Sequence, residues 1–237
     1  MKLSLTGMLF LLLSTCGLYA QDITTATFTV DNDPKFIVSA NFNYAYRVEK
    51  IDKSYSDIQR QYLKNLKSGL SYDISAYYMV TDFIGVGLKF NSFNSSERID
   101  DADIIAPNGQ SGFGNLSDDV TISFYGVGAI YNLLEPGNKH VVNMEVALGY
   151  MGYKNDAYAL GDYTFKGSTF GASMSISYQY MAFENFSIGP KLGFTGGALK
   201  KVDLTGPDGY SETVKLDSEN AESLAKLDMG IVASYRF

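Results

Sequence analysis

The sequence has no tryptophan, one histidine, one cysteine and five prolines among 237 residues. Each shortage removes a class of function. The lone Cys16 falls in an N-terminal segment with the layout of a secretory signal peptide: Lys2 gives a positive start, Leu9 to Leu13 form an apolar core, and Leu18-Tyr19-Ala20 precedes Gln21. Cleavage near Ala20 leaves a mature chain without cysteine, which excludes disulfides and thiolate metal sites. Lipidation would require cleavage before Cys16, and Thr15 is large for that position. After the leader no apolar run reaches eighteen residues, so no transmembrane helix is expected. A formal charge of −7, made more negative by loss of Lys2, argues against nucleic acid as a partner.

What the chain does have is Tyr, Phe and Gly in quantity: 18, 15 and 23 residues. That composition suits an all-β protein. Residues 21–35 are polar, Thr-rich and end near Asp33-Pro34, a lead-in. From Phe36 onward, apolar and polar residues alternate with the period of two that defines a strand with two unlike faces. Strands are expected at Phe36 to Arg47, about Leu66 to Val80, Ile84 to about Asn91, about Asp119 to Asn132, about His140 to Tyr153, about Phe165 to Tyr180, about Phe186 to Leu199, and Leu227 to Phe237. The alternation blurs at Tyr125-Gly126-Val127-Gly128, where a bulge is expected. Polar segments 49–65, 92–118, 154–163 and 200–222 read as loops. They alternate with short connections at Thr81-Asp82, Glu135-Pro136-Gly137 and Phe183-Glu184-Asn185.

One face of every strand is free of charge. The other is mostly Gly, Ser, Asn and Thr, unlike the Lys- and Glu-rich outer face of a water-soluble sandwich. Apolar residues outward, small polar residues inward, an even strand number and alternating long and short connections predict an eight-stranded antiparallel transmembrane β-barrel in up-and-down meander order. Two aromatic girdles are expected. One comprises Tyr44, Tyr46, Tyr150, Phe170 and Phe194. The other comprises Phe36, Tyr78, Tyr180, Phe186, Tyr235 and Phe237.

The leader, the eight alternating strands and the closing Tyr235-Arg236-Phe237 resemble outer-membrane β-barrels of the OmpA/OmpX-like small-porin superfamily. The Gln21-Asp22 start and the loop style resemble those of Bacteroidota. The resemblance implies an integral outer-membrane location, outer-membrane lipid as surroundings, and the barrel-assembly machinery as a partner. That machinery would read Phe237 with Tyr235, Ala233, Ile231 and Met229.

Six inward positions carry charge: Asp73, Glu145 and Asp228 against Lys89, Lys191 and Lys226. An eight-stranded barrel is only wide enough for side chains to fill, so an ion-pair network closing the lumen is expected. His140 adjoins a short turn, remote from the opposite rim where a hydrolytic site would sit, so no His-based catalytic group is expected. Asp100, Asp101 and Asp103 form an acidic loop whose spacing matches no EF-hand. Gly85-Val86-Gly87 lies in a strand with no helix after it, and so is no phosphate loop. No cofactor or metal is expected. The sequence thus predicts a leader (1–20), a periplasmic lead-in (21–35) and a barrel (36–237). The expected role is non-enzymatic, in envelope integrity or surface interaction. The alternatives are a narrow channel for small solutes, or an accessory subunit with an envelope protein as partner.

Overall fold

The structure, a computed structural model, describes residues 35–49, 51, 56–134, 139–216 and 221–237. The leader, nearly all of the lead-in, and the Glu135-Pro136-Gly137 turn lie outside the described residues.

Eight antiparallel staves close into a ring. They are β1 (Phe36–Arg47), β2 (Ser68–Met79), β3 (Ile84–Ile105), β4 (Ser111–Leu134), β5 (His140–Ala159), β6 (Asp162–Phe183), β7 (Phe186–Leu199) and a last strand, Lys226–Arg236. Three short strands, β8 (Lys201–Thr205), β9 (Ser211–Lys215) and β10 (Glu222–Ser223), precede that last one, which is therefore β11. Each stave pairs with its neighbour in sequence, and β11 closes the ring against β1, with Val38 opposite Tyr235 and Tyr46 opposite Leu227. Closure leaves the ring with no free edge, so every barrel strand spends its backbone groups on neighbours. Both chain ends of the barrel meet at the short-turn rim, where the Phe237 N–H donates to the Phe36 carbonyl at 3.0 Å.

The alternation has physical force inside the belt. On β1 the even-numbered residues from Phe36 to Tyr46 are exposed and the odd-numbered ones from Ile37 to Arg47 are buried. The exposed set forms an apolar belt around the ring. Leu88, Leu148, Met229 and Ile231 are 65, 69, 65 and 60% exposed. β1 and β7 occupy the expected spans, because alternation there is enforced on both faces.

Several expectations fail, each for a reason. Residues 92–118, 154–163 and the described part of 200–222 are largely strand and not loop. β3 and β4 run on as a ladder to Ile105↔Ser111, β5 and β6 turn at Leu160-Gly161, and β8 and β9 form a hairpin beside β6. Backbone pairing continues beyond the belt because polar side chains do not interrupt a ladder. An inner apolar cluster of Ile104, Ala106, Ala159, Tyr163 and Leu204 holds the protruding sheet together. Asp100, Asp101 and Asp103 accordingly sit in β3. The bulge expected at 125–128 is absent, and the register runs unbroken from Tyr125↔Tyr150 to Gly128↔Ala147. The irregularity lies between Ile99 and Ala102, where Asp101 takes a φ of 58°. Within 49–65 there is a helix, α1 (Asp57–Leu66), started by a capping box between Ser56 and Gln59.

Inward glycines let strands approach closely. A Cβ on Gly149 would lie 2.0 Å from the Tyr125 carbonyl oxygen, whereas one on Gly193 would meet nothing nearer than 3.6 Å. Gly149→Ala is therefore expected to cost about 1–3 kcal/mol by overpacking, and Gly193→Ala much less. Urea unfolding of the two variants in a lipid or detergent host measures the difference.

Candidate functional site

The interior is built in layers by residues that the ladder register brings to one height. At mid-depth the six charged residues named from the sequence are all buried. Lys191 Nζ lies 3.3 Å from Asp73 Oδ2 and 3.3 Å from Glu145 Oε2, and Lys89 Nζ lies 2.9 Å from the same Glu145 oxygen. Ser175 donates to Glu145 at 3.1 Å. Lys226 Nζ holds both oxygens of Asp228, at 2.6 and 2.7 Å, and reaches Ser71 Oγ at 3.3 Å. Asn91 donates to Ser71 at 2.9 Å and also to Asp73, which links the two groups. β2, β3, β5, β6, β7 and β11 all contribute, so the network crosses the lumen. Three acids face three bases, and each charge is hydrogen-bonded, which is the condition for offsetting desolvation.

Above this layer the interior turns apolar, which the sequence reading missed. Phe93, Ile122, Phe124, Met151, Leu199 and Leu224 pack with Tyr62 and Leu66 of α1 in one cluster. The Lys226 ammonium lies 6.0 Å from the Phe93 ring centroid, joining the two layers. β4 looked ambiguous in sequence because Val120, Ile122 and Phe124 face this cluster while Tyr125 and Val127 face outward. Both faces are apolar there, with no shift of register.

Helix α1 is held across the rim by Tyr62, whose hydroxyl donates to Asp118 Oδ2 at 2.5 Å, and by Asn65, which donates to Glu97 at 3.1 Å. Burial, reinforced by Asp118, pushes the Tyr62 phenol far above its ordinary value. Beside it Arg47 bridges Glu222 at 2.7 Å and Glu49 at 3.0 Å, and Lys67 donates to the Glu49 carbonyl. Burial, and then the neighbouring Glu222 charge, raises the Glu49 carboxyl to about 7 against the pull of Arg47. A carboxyl raised in this way binds its proton more tightly when folded. Its contribution is fully present below its ordinary range near 4.5 and is lost as pH rises through about 7. Glu49→Gln is therefore expected to flatten the fall in melting temperature between pH 5 and 8, as followed by circular dichroism of the detergent-folded protein. An unchanged slope would mean that Glu49 does not titrate there.

Toward the short-turn rim the interior mixes polar side chains with the buried Ile37, Tyr77, Ile130, Val141 and Val232. Ser39 and Ser234 hydroxyls meet at 2.8 Å, Ser187 donates to Gln179 at 2.6 Å, and Arg236 donates to Ser187 at 3.1 Å. Phe36 with Tyr78, and Tyr235 with Phe237, pack edge to face near this rim. Tyr180 and Phe186 stand at the same level. Tyr150 and Phe170 are direct cross-strand partners at the far side of the belt, and Phe194 pairs with Leu227, next to Tyr46. Met229, Ile231, Ala233, Tyr235 and Phe237 share the outer face of β11 and the residue after it. His140 stacks against Tyr178 at the short-turn rim, with Nδ1 2.6 Å from the phenol oxygen. Among the described residues, no three His, Cys, Asp or Glu side chains converge as a metal site would require.

A closed ring of eight staves, apolar without and charge-paired within, is the architecture of outer-membrane β-barrels. Solved structures agree at the level of fold. A major outer membrane protein from Thermus thermophilus superposes with a TM-score of 0.54 at 14% identity, covering 86% of this chain and 98% of that one. Neisserial surface protein A gives a TM-score of 0.50 at 14% identity, covering 87% and 100%. No protein-family model and no curated protein sequence matches the chain.

Proposed function

We propose that the protein is a non-enzymatic integral outer-membrane barrel that presents a rigid β-sheet platform outside the cell, serving envelope integrity or surface interaction. The observation that carries this reading is the mismatch between belt and strand length. A tilted strand needs about 9–11 residues to cross a bilayer. β1, β2, β7 and β11 have 12, 12, 14 and 11 residues, while β3 to β6 have 22, 24, 20 and 22. The surplus all lies on one side. With both chain ends at the short-turn rim, that rim faces the periplasm and the platform faces outward. On this reading residues 1–20 are removed on export and 21–35 lead into the barrel. Phe237 and the alternate residues before it then serve the assembly machinery.

The channel reading is disfavoured by two barriers in series, the charge network and the apolar cluster beneath α1. Recording purified protein in planar bilayers tests this. Baseline current with only brief, rare openings is expected. A steady, voltage-stable conductance would replace the structural role with the channel.

A further inference from the structure

We infer that Arg236, one residue inside the short-turn rim, anchors a binding site in the barrel interior for a small oxyanion, a carboxylate or phosphate group held by the Nε and Nη2 edge of its guanidinium. The inference needs the closed ring described above and not the surface role proposed for it.

Alternation along β11 puts Arg236 on the inner face, after Val232 and Ser234 and directly opposite Ile37 of β1. The residue is 3% exposed. Its Nη1 donates to the Ser187 hydroxyl and to the Met181 sulfur, each at 3.1 Å. Its Nε and Nη2 are buried as well and have no hydrogen-bond partner within the protein. A guanidinium is a rigid plane of donors. The Nε and Nη2 hydrogens on one edge point the same way, the arrangement that receives two oxygens of a single acid group.

Charge calls for an anion there. Among the described residues the buried cations Arg47, Lys89, Lys191 and Lys226 are all ion-paired, and Lys67 lies against the Glu49 main chain. Arg236 belongs to none of these pairs and meets only neutral groups. Ser187 donates its own hydrogen to Gln179 at 2.6 Å, and the Gln179 amide donates to Ser177 at 3.0 Å, so this chain brings no negative charge. The terminal residue is tied to β1 instead: a Phe237 oxygen accepts from the Phe36 N–H at 3.3 Å. Glu184, in the turn between β6 and β7, is exposed. An uncompensated buried charge is among the costliest features of a fold, and a bound anion removes that cost.

Neutral donors stand at the same depth. Ile37 is the direct partner of both Arg236 and Tyr77, and Ser39 of both Ser234 and Ser75. The Tyr77 hydroxyl and the Ser75 Oγ are buried without a hydrogen-bond partner, and hydroxyl hydrogens turn to suit an acceptor. Size narrows the class. An eight-stranded barrel is only wide enough for side chains to fill, and the buried Ile37, Ile130, Val141 and Val232 crowd this depth. The fit is therefore to a group of a few atoms, not to a sugar or a nucleotide. Such an anion enters from the short-turn rim and crosses neither the charge network nor the apolar cluster.

The test uses the full chain folded in detergent micelles with isotope-labelled arginine. Folding is scored first, by gel mobility before and after boiling. The sequence has four arginines, Arg47, Arg60, Arg98 and Arg236, so Arg47→Lys, Arg60→Lys and Arg98→Lys assign the Arg236 Nε–H resonance by elimination. Sodium formate, sodium phosphate and sodium chloride are then titrated separately at matched ionic strength. A saturable shift at Arg236 is expected with formate or phosphate, the tighter of the two naming the class. Chloride, with no pair of oxygens, is expected to need roughly tenfold or more higher concentration, the worth of one charge-assisted hydrogen bond. The tighter oxyanion is also expected to raise the thermal unfolding midpoint of the wild type, and Arg236→Lys, which keeps the charge and loses the fork, to abolish that rise. No saturable shift at Arg236, or one that chloride produces at the same concentration, overturns the site. A rise in midpoint that survives Arg236→Lys does so too. If that variant does not fold, the wild-type resonance decides alone. Failure of the wild type to fold in detergent or lipid overturns the ring, and the site with it.

Discussion

Leu88→Arg is expected to destabilise the protein in a bilayer by about 2–4 kcal/mol, the cost of an arginine facing lipid near the midplane. Leu88 sits on the outer face of β3, between Ile84 at the short-turn rim and Phe90 in the upper aromatic row, with Ala76 and Val127 as its cross-strand neighbours. Its side chain is 65% exposed, and the residues flanking it on that face are apolar and exposed or half-exposed. In water such a position would tolerate arginine without penalty. The same substitution at Asn94, on the same strand and face but above the belt, is expected to have little effect. Unfolding both variants from lipid vesicles with guanidinium separates the positions. Equal, small effects would remove lipid from the outer face.

Glu145→Gln is expected to cost about 3–5 kcal/mol, because it leaves buried cations without their shared carboxylate. Glu145 is 5% exposed and is the only anion within reach of Lys89 among the described ion pairs, while Lys191 keeps Asp73. Pairing the change with Lys89→Met is expected to recover a large part of the loss, since it removes the stranded charge along with its partner. The coupling energy from the double-mutant cycle reads this directly. Additive losses would mean that the two groups are solvated independently and that the lumen is wet at this depth.

The extent of agreement between sequence and structure follows the physics of the belt. Where one face meets an apolar surrounding and the other a crowded polar interior, each alternate residue is constrained, and Phe36–Arg47 and Phe186–Leu199 could be read to their ends. Above the belt that constraint disappears. Asn94, Ser96, Arg98 and Asp100 resemble a loop, and the strand there is held by pairing with residues 114–121 and by a sparse inner apolar set such as Ile99 and Leu116. Helix α1 left a trace that a closer look at spacing finds: Ser56 and Gln59 as a capping box, then Tyr62, Leu63 and Leu66 on one side. The six mid-depth charges were visible because alternation assigns them to the inner face. The apolar layer over them was not, because Phe93, Ile122 and Met151 break the expectation of a uniformly polar interior. The rim acids Glu49 and Glu222 were hidden differently. Glu222 meets Arg47 only through closure of the ring, which brings together residues 175 apart in sequence, and Glu49, two residues from Arg47, gains its acidic neighbour there.

The central claim is that this chain folds as a lipid-embedded ring. The most direct measurement dilutes urea-unfolded protein into buffer alone and into buffer with lipid vesicles, then compares unboiled and boiled samples on a denaturing gel. The account predicts a compact band of altered mobility that forms only with lipid or detergent and is lost on boiling. A monomer that folds cooperatively in water, with the same β signal and no lipid, would contradict it.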